Sequence, residues 1–210
     1  MCPAAPAPKR RRVNNLLALA VLSYLTQRPM HPYELGRLLR EHADDRSIKF
    51  NHGSLYMVVQ QLAKAGFVEP VETSREGLRP ERTTYALTDA GRDELFEWLR
   101  DLVAEPRHEF PHFVAALSLL AVLPPAEAVE LLRRRLQRLA AQQTDIRELV
   151  DGTVAEGVHP LFLVEEEYRL ALLDAERRFV EDLVARITDP ETGWQEPWAR
   201  FHDRPEDPTP

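Results

Sequence analysis

Apolar residues recur at helical spacing in three successive segments of the first 65 positions. The first segment follows Asn14 and Asn15, either of which can cap it, and is apolar on nearly every side, so it must be covered by several neighbours. The second runs from Pro32 to about His42 and keeps its leucines on one side. The third runs from about Gly53 to Ala65 with apolar residues at i, i+3, i+4 and i+7. The pattern predicts three helices around a common core.

A hairpin and a fourth helix follow these segments. Gly66 is a typical residue just past a helix C-terminus. Two short segments rich in Val, Thr and Tyr, Phe67–Thr73 and Arg82–Leu87, then flank a Gly- and Pro-containing turn, as in a β-hairpin. Thr88 begins a helix that extends to about Val103. Three helices followed by a hairpin form a winged helix-turn-helix, which we predict over residues 14–104.

The second half of the chain has only helical periodicity. A short apolar segment, Phe113–Leu123, precedes a long helix from about Ala126 to Val150. Gly152 and Gly157 are predicted to break the chain before a last long helix, Pro160 to about Ile187. The predicted fold class is therefore mainly α, with an N-terminal winged helix-turn-helix followed by an all-helical C-terminal domain.

The last long helix carries two apolar stripes, although one stripe is enough to pack on its own subunit. Exposed apolar stripes of this size are uncommon on monomers, so we predict that residues 105–189 form a helical dimerisation domain and that the protein is a homodimer. The alternative is a helix packed between two neighbours of the same subunit. The predicted dimer contacts are Tyr168, Leu172, Phe179, Val180 and Leu183.

The two ends of the chain differ from the rest in composition. Residues 1–13 alternate Pro and Ala and then carry Lys9 to Arg12, which predicts a mobile basic arm. This arm is either a solvated tail or a segment that contacts DNA phosphates. Residues 190–210 are rich in proline, but Trp194, Trp198 and Phe201 predict that this tail is partly docked.

The net charge of −7 is unusual for a DNA-binding protein, but it is unevenly distributed. Residues 1–105 contain 15 Lys and Arg against 14 Asp and Glu, whereas residues 106–210 contain 12 against 20. The acidity therefore lies in the second half, and the first half is free to present a local basic face.

The outward side of the third helix is polar but almost uncharged. Amide and hydroxyl groups of this kind recognise base edges in the major groove, so the helix is a candidate for DNA recognition. The alternatives are an ordinary solvated face, or a winged helix that contacts another protein. A protein contact would need apolar anchors, and only Met57 fits. The face comprises His52, Ser54, Met57, Gln60, Gln61 and Lys64.

An enzyme is not predicted. His108 to His112 matches the H-E-x-x-H zinc protease motif, but Pro111 lies inside it and opposes the continuous helix that zinc binding requires. No nucleophile elbow, P-loop or dinucleotide fingerprint is present, and we expect no cofactor and no metal.

Compartment and membrane signals point to a cytoplasmic protein. The single cysteine, Cys2, excludes an internal disulfide and favours a reducing compartment. The longest apolar run, Leu16 to Leu25, is about half the length that crosses a bilayer, so no membrane partner is predicted. No small-residue cleavage site follows this run, which disfavours a signal peptide.

Three pieces of the sequence resemble the PadR family of bacterial transcriptional regulators. His31 to Leu35 resembles the start of that family's second helix, Gly53 to Tyr56 followed by Leu62 and Gly66-Phe67-Val68 resembles its recognition helix, and Arg82 to Gly91 resembles its second wing strand. The resemblance covers residues 14–104. It implies a repressor, often of a nearby operon, that dimerises through C-terminal helices and in some members is released by a small molecule.

Two positions depart from the family pattern. Pro32 stands where the family usually has Gly, and it is tolerable in the first turn of a helix. Met57 stands where the family usually has Pro after the recognition-helix tyrosine. Met57 is on the outward face, so the preferred operator sequence is expected to differ from that of other members.

The winged-helix mode assigns a role to each candidate residue. The third helix enters the major groove of double-stranded DNA, and two-fold symmetry predicts an inverted repeat with half-sites about 34 Å, or a multiple of that, apart. Tyr56 is alternatively a partly buried scaffold residue, and Arg82 alternatively only pairs with an acidic neighbour such as Glu81. The expected base-edge contacts are His52, Ser54, Gln60 and Gln61, and the expected phosphate contacts are Tyr33, Tyr56, Lys64, Arg79 and Arg82.

The resemblance also implies a small hydrophobic or aromatic effector, as in some drug-sensing members of the family. Phe96 and Trp98 on the fourth helix are the candidates to line a flat pocket for it. The alternative is that Trp98 is an ordinary core residue.

Overall fold

The computed structural model describes residue 13 and residues 15–42, 44–74 and 82–202. Nearly all of the predicted N-terminal arm, residues 1–12, lies outside this part of the chain, as do residues 203–210. The chain divides into two compact units, residues 1–108 and 109–210. Within the described residues, no helix has the length and apolar character needed to span a membrane.

The first unit has the predicted winged helix-turn-helix architecture. Its three leading helices are followed by a two-stranded antiparallel sheet and a fourth helix, which confirms the predicted fold class. A short 3-10 turn, Asp44–Arg46, lies between the second and third helices. The elements are α1 (Leu16–Leu25), α2 (Pro32–Glu41), α3 (His52–Lys64), β1 (Val68–Ser74), β2 (Arg82–Leu87) and α4 (Asp89–Ala104).

Helix α1 forms the centre of the first core because most of its surface is apolar. Asn15 caps it: the backbone N–H of Leu17 donates to Oδ1 of Asn15 at 2.9 Å. The other three helices cover α1 with single apolar stripes, as the helical spacing predicts. Fully buried members of this core include Leu17, Val21, Leu22, Leu35, Leu39, Leu55, Leu62 and Trp98.

Two tight connections fix the sheet and α4 against the helices. Gly66 adopts φ +80°, a conformation that glycine tolerates, and turns the chain from α3 into β1. Met30 and Tyr85 exchange two backbone hydrogen bonds of 3.0 Å, which join the loop after α1 to β2. The hydroxyl of Thr88 donates to the carbonyl of Gly66 and also accepts from the backbone N–H of Gly91 as the N-cap of α4.

The second unit is built on an antiparallel pair of long helices. A 3-10 turn at Leu120–Val122 precedes the first long helix, and another at Pro160–Leu163 lies between the two. Arg135 pairs with Glu176, and Gln143 donates to Oδ1 of Asp174 at 3.3 Å, which shows that the two helices run in opposite directions. The helices of the unit are α5 (His112–Ser118), α6 (Pro125–Ala155), α7 (Val164–Thr188) and α8 (Gln195–His202).

The core of the second unit lies where α6, α7 and α8 meet. Trp198 of α8 is buried there, and its indole N–H donates to the carbonyl of Ala121 at 3.2 Å. Part of the Pro-rich C-terminal segment therefore packs on this unit. The buried apolar residues are Ala128, Val129, Leu132, Val180, Leu183, Ile187 and Trp198.

The predicted break at Gly152 is wrong. Helix α6 continues through Gly152 to Ala155, and the chain turns only at Gly157, where φ is +93°. A glycine inside a helix costs about 1 kcal/mol relative to alanine, which a long, well-packed helix tolerates. The start of the last predicted helix also differs, because Pro160–Leu163 forms a 3-10 turn before α7 begins.

Candidate nucleic-acid interface

The outward face of α3 is exposed along its whole length. Its opposite side is buried in the first core through Leu55, Val58, Val59 and Leu62. Met57, with 61% of its surface exposed, is the large apolar residue in the middle of this face. We call this exposed face the α3 surface; it comprises His52, Met57, Gln60, Gln61 and Lys64.

Ser54 has a local structural role at the start of α3. Its backbone N–H donates to Oδ1 of Asn51 at 2.8 Å, and its hydroxyl accepts from the backbone N–H of Asn51 at 2.9 Å. The same hydroxyl also donates to the carbonyl of Asn51. This capping box satisfies two backbone donors of the first turn. Ser54 is half-buried, and its hydroxyl proton is engaged within the cap.

Tyr33 and His52 form a stacked pair where the start of α2 meets the start of α3. Their ring centroids are 6.3 Å apart and their planes differ by 10°. Arg40 of α2 donates from Nη1 to Nε2 of His52 at 3.5 Å, so this tautomer carries its proton on Nδ1. Tyr33 is 58% exposed. The contact orients the phenol and the imidazole together on the surface that was predicted to meet DNA.

Tyr56 lies beside His31, which was not among the predicted DNA contacts. The ring of His31 meets the ring of Tyr56 edge-on at 6.1 Å, and Nδ1 of His31 accepts from the backbone N–H of Tyr33 as the N-cap of α2. Tyr56 is partly exposed, so it both supports His31 and presents its phenol. The sequence signal for His31 was its position directly before Pro32, where an N-cap precedes a first-turn proline.

Acidic residues neutralise part of the positive charge near this face. Arg28 forms a bidentate pair with Glu34, and hydrogen bonding to Arg28 lowers the pKa of Glu34. Arg37 pairs with Glu41 at 3.6 Å. Lys64 remains as an exposed cation at the C-terminal end of α3.

Two predicted phosphate contacts cannot be placed. Arg79 lies outside the described residues. Arg82 begins β2, but its side chain also lies outside the described part of the chain.

The zinc protease motif does not form a helical metal site. Helix α5 begins at His112, so His108 precedes the helix instead of sharing a face with His112. Among the described residues, no group of three or more His, Cys, Asp or Glu side chains is placed to hold a metal ion. The start of α5 at His112, directly after Pro111, agrees with the conflict between this proline and a continuous helix.

Most of the first unit matches a model of a known protein family. Residues 21–97 match the model described as the transcriptional regulator PadR-like family. The first unit carries a PadR-like domain. PadR-like proteins are transcriptional regulators, not enzymes. The matched region runs from α1 through most of α4 and includes the whole α3 surface.

Individual relatives support the same fold over most of the chain. The negative transcriptional regulator PadR of Bacillus subtilis is 25% identical over 132 residues, which are 63% of this chain and 71% of the relative. The crystal structure of Bacillus subtilis PadR in complex with operator DNA has a TM-score of 0.63 and 21% identity, and the match covers 81% of this chain and 98% of that one. The same regulator in complex with p-coumaric acid has a TM-score of 0.64 and 19% identity, with 85% and 97% covered.

The predicted effector pair is not brought together in the PadR-like domain. Trp98 is buried in the first core with 1% of its surface exposed, whereas Phe96 is 44% exposed and lies 5.8 Å from the guanidinium of Arg100. Residues two apart on a helix point to different sides, so the two rings do not line one pocket. The alternative reading of Trp98 as a core residue fits its burial.

The predicted dimer contacts fall into two groups. Val180 and Leu183 pack in the core of the second unit, so their assignment to a partner subunit was wrong. Tyr168, Leu172 and Phe179 are exposed along α7. Together with exposed Ala175 they are spaced by four, three and four residues, which places them in one row that we call the α7 stripe.

Proposed function

We propose that the protein is a transcriptional repressor that binds an inverted-repeat operator as a homodimer, with α3 in the major groove of each half-site. The observation that carries the proposal is the α3 surface. It is an exposed helix face with two adjacent amides, Gln60 and Gln61, and one cation, Lys64, at its end. Amides donate to and accept from base edges, and a cation at the end of the helix reaches the phosphates.

The aromatic pairs extend this face towards the DNA backbone. Tyr33 stacks on His52 and Tyr56 meets His31 edge-on, and both tyrosines remain exposed beside the α3 surface. Tyrosine hydroxyls commonly donate to phosphate oxygens and fix the register of a protein on the duplex. We assign phosphate contacts to Tyr33, Tyr56, Lys64, Arg79 and Arg82, and base contacts to His52, Gln60 and Gln61. Ser54 is not assigned a base contact, because its hydroxyl is engaged in the capping box of α3.

Homodimerisation is supported by the α7 stripe. Two large apolar side chains and a tyrosine are exposed in a row, which is the arrangement expected of a self-complementary contact about a two-fold axis. Two copies of α3 would then meet half-sites about 34 Å, or a multiple of that, apart. Operator DNA lies in the cytoplasm of a bacterium, so a cytoplasmic location follows from this role.

Repression and effector release are supported by relatives. The curated relative is a negative regulator, and a solved relative binds p-coumaric acid. We therefore propose a small aromatic or hydrophobic molecule as effector. Its site is left unassigned because Phe96 and Trp98 do not share a surface.

The test uses the full-length protein and a duplex from directly upstream of its own gene, with a scrambled duplex of the same composition as the matched control. We expect specific binding roughly 10³-fold or more tighter than binding to the scrambled duplex. The logarithm of affinity should fall with the logarithm of salt by about 0.9 for each neutralised phosphate. Equal affinity for both duplexes at every salt concentration would refute DNA recognition and favour the protein-contact alternative.

A further inference from the structure

We propose that Arg40 of α2 contacts a DNA phosphate beside the groove that α3 enters, and that His52 is the positioning residue that holds the Arg40 guanidinium there. This inference rests on the proposed function and adds a contact from a second helix. It is carried by the packing of the His52 imidazole on α2 and by the way in which the arginines near this helix are paired.

The imidazole of His52 lies against one side of α2. Tyr33 stacks on the ring, with centroids 6.3 Å apart and planes that differ by 10°. A Cβ added to Gly36 would lie 3.9 Å from Cε1 and Nδ1 of the same ring. Arg40 donates from Nη1 to its Nε2 at 3.5 Å. Tyr33, Gly36 and Arg40 are spaced by three and four residues, so one face of α2 contacts the imidazole at three successive positions.

The contact with His52 leaves Arg40 able to bind a second group. A guanidinium carries five N–H donors in a planar fork, and this contact uses one of them. Arg40 is exposed. Because His52 belongs to the α3 surface, the guanidinium lies at the edge of the surface that is proposed to enter the groove. A planar fork of donors matches two oxygens of a phosphate, so a phosphate bordering the groove is the partner that fits it.

Arg40 differs from neighbouring arginines in its pairing. Arg28 is paired with Glu34, and Arg37 with Glu41 at 3.6 Å. In the described part of the chain, no ion pair joins Arg40 to a carboxylate; its side-chain contact is with the uncharged Nε2 of an imidazole. A phosphate that binds Arg40 therefore displaces no carboxylate, and the contact would release a counterion from the DNA.

His52 reduces the side-chain freedom that Arg40 would lose on binding. Ordering one long side chain at an interface lowers affinity by about 2- to 10-fold. The hydrogen bond to Nε2 restricts the guanidinium before DNA arrives, and the ring that accepts it is itself packed on α2. His52 thus contributes to the backbone contact through Arg40, in addition to any base contact of its own.

The competing role for Arg40 is at the end of its own helix. Arg40 lies in the last turn of α2, where a cation also interacts favourably with the negative end of the helix dipole. That role would change the stability of the first unit without adding a phosphate contact. The dependence of DNA affinity on salt therefore separates the two roles.

The experiment measures binding of full-length variants to the upstream duplex and to the scrambled duplex across a salt series. Arg40→Gln removes the cation. Arg37→Gln is the charge-matched control, because Arg37 is exposed on the same helix but already paired with Glu41. His52→Ala removes the acceptor, whereas His52→Gln keeps an acceptor oxygen as many bonds from Cα as Nε2 is. The double variant, Arg40→Gln with His52→Ala, completes a double-mutant cycle.

For Arg40→Gln we expect weaker binding to both duplexes. The slope of log affinity against log salt should fall in magnitude by about 0.9 for each phosphate contact that is lost. Arg37→Gln should leave this slope close to that of the wild type.

The expectations for His52 are tested on the scrambled duplex, because a base contact of His52 would affect only the operator. His52→Ala should weaken this binding by about 2- to 10-fold. His52→Gln should restore it to near the wild-type affinity. In the Arg40→Gln background, His52→Ala should cause no further loss, whereas a purely structural role would weaken binding equally in both backgrounds.

Three outcomes would overturn the inference. Equal slopes for Arg40→Gln and Arg37→Gln would show that Arg40 meets no phosphate. An equal effect of His52→Ala in both backgrounds would show that His52 does not act through Arg40. A His52→Gln variant as weak as His52→Ala would show that the acceptor is not what matters. In each case the wild type still prefers its operator, whereas failure of the wild type to distinguish the two duplexes counts against the proposed function instead.

Discussion

The hydroxyl of Tyr24 donates a hydrogen bond to the carboxylate of Asp44 and lies 2.8 Å from Nδ1 of His42. The hydroxyl has one proton, which goes to Asp44, so Nδ1 of His42 is the donor to the phenolic oxygen. The contact joins the end of α1 to the turn that leads from α2 towards α3. It thus stabilises the path of the chain between the two helices of the helix-turn-helix.

Replacing Tyr24 with phenylalanine should destabilise the first unit. The change leaves the partly buried carboxylate of Asp44 without its donor, at a cost of about 1–3 kcal/mol in the free energy of unfolding. Urea unfolding followed by circular dichroism measures the difference. Tyr33→Phe is the matched control because Tyr33 is exposed on α2 in the same unit, and in the absence of DNA it should change stability by less than about 0.5 kcal/mol. Equal stability of the two variants would contradict this role.

The contribution of Tyr24 to stability should depend on pH in the alkaline range. Burial, followed by the hydrogen bond to Asp44, raises the pKa of Tyr24 above its ordinary value of 10.0. A pKa raised in the folded state means that the contribution to stability is complete below pH 10.0 and is lost as pH rises above it. The difference in unfolding free energy between wild type and Tyr24→Phe should therefore shrink above pH 10.0 and stay constant between pH 7 and 9.

Replacing Gly91 or Gly152 with alanine should change the stability of the protein in opposite directions. A Cβ on Gly91 would overlap the carbonyl oxygen of Phe67 and lie 2.8 Å from its carbonyl carbon, so Gly91→Ala must displace backbone where β1 and α4 meet. We expect a loss of more than about 3 kcal/mol. Nothing lies within 4 Å of a Cβ on Gly152, so Gly152→Ala in α6 should raise stability by about 0.5–1 kcal/mol. Melting temperatures of both variants test the pair, and a tolerated Gly91→Ala would contradict the close approach.

Gln60 and Lys64 should differ in what they contribute to DNA binding. Gln60→Ala should weaken binding to the operator by about 1–3 kcal/mol while leaving random DNA unaffected, because it removes a base contact. Lys64→Ala should weaken binding to both duplexes alike, because it removes a phosphate contact. The slope of log affinity against log salt should fall in magnitude by about 0.9. Fluorescence anisotropy with both duplexes measures the four affinities. Equal losses on operator and random DNA for both variants would refute this division.

The α7 stripe should control the oligomeric state. Leu172→Asp places a charge in the middle of the stripe, and we expect monomers in sedimentation analysis whose melting temperature no longer depends on protein concentration. Val180→Ala is the contrasting variant, because Val180 is buried in the core of its own unit. It should lower stability by about 1–3 kcal/mol and leave a dimer at high protein concentration. A Leu172→Asp protein that stays dimeric would exclude the stripe as the interface.

The boundaries of the first unit were predictable because each is fixed by a local signal. Asn15, Gly66 and Thr88 mark helix ends that the structure confirms. The enrichment in Val, Thr and Tyr on either side of a Gly- and Pro-containing turn similarly located both strands. Such signals act within a few residues, so one sequence is enough to read them.

Assignments that depend on which surface covers a side chain were less predictable. The two stripes of α7 are both apolar, and the sequence does not show that Val180 and Leu183 meet α6 and α8 while Leu172 faces outward. The contact of Arg40 with His52 joins residues twelve positions apart through the packing of α2 on α3, and no periodicity encodes it. The Phe96 and Trp98 pair could have been excluded in advance, since residues two apart on a helix diverge.

The paired hydrogen bonds between Met30 and Tyr85, with the Thr88 hydroxyl on Gly66, leave the β1–β2 hairpin no independent hinge at its base. These bonds tie the base of the hairpin to the loop after α1 and to the end of α3. In the proposed homodimer, a signal that releases operator DNA would therefore have to act on the separation or tilt of the two DNA-binding units. Swinging the hairpin alone would not be sufficient.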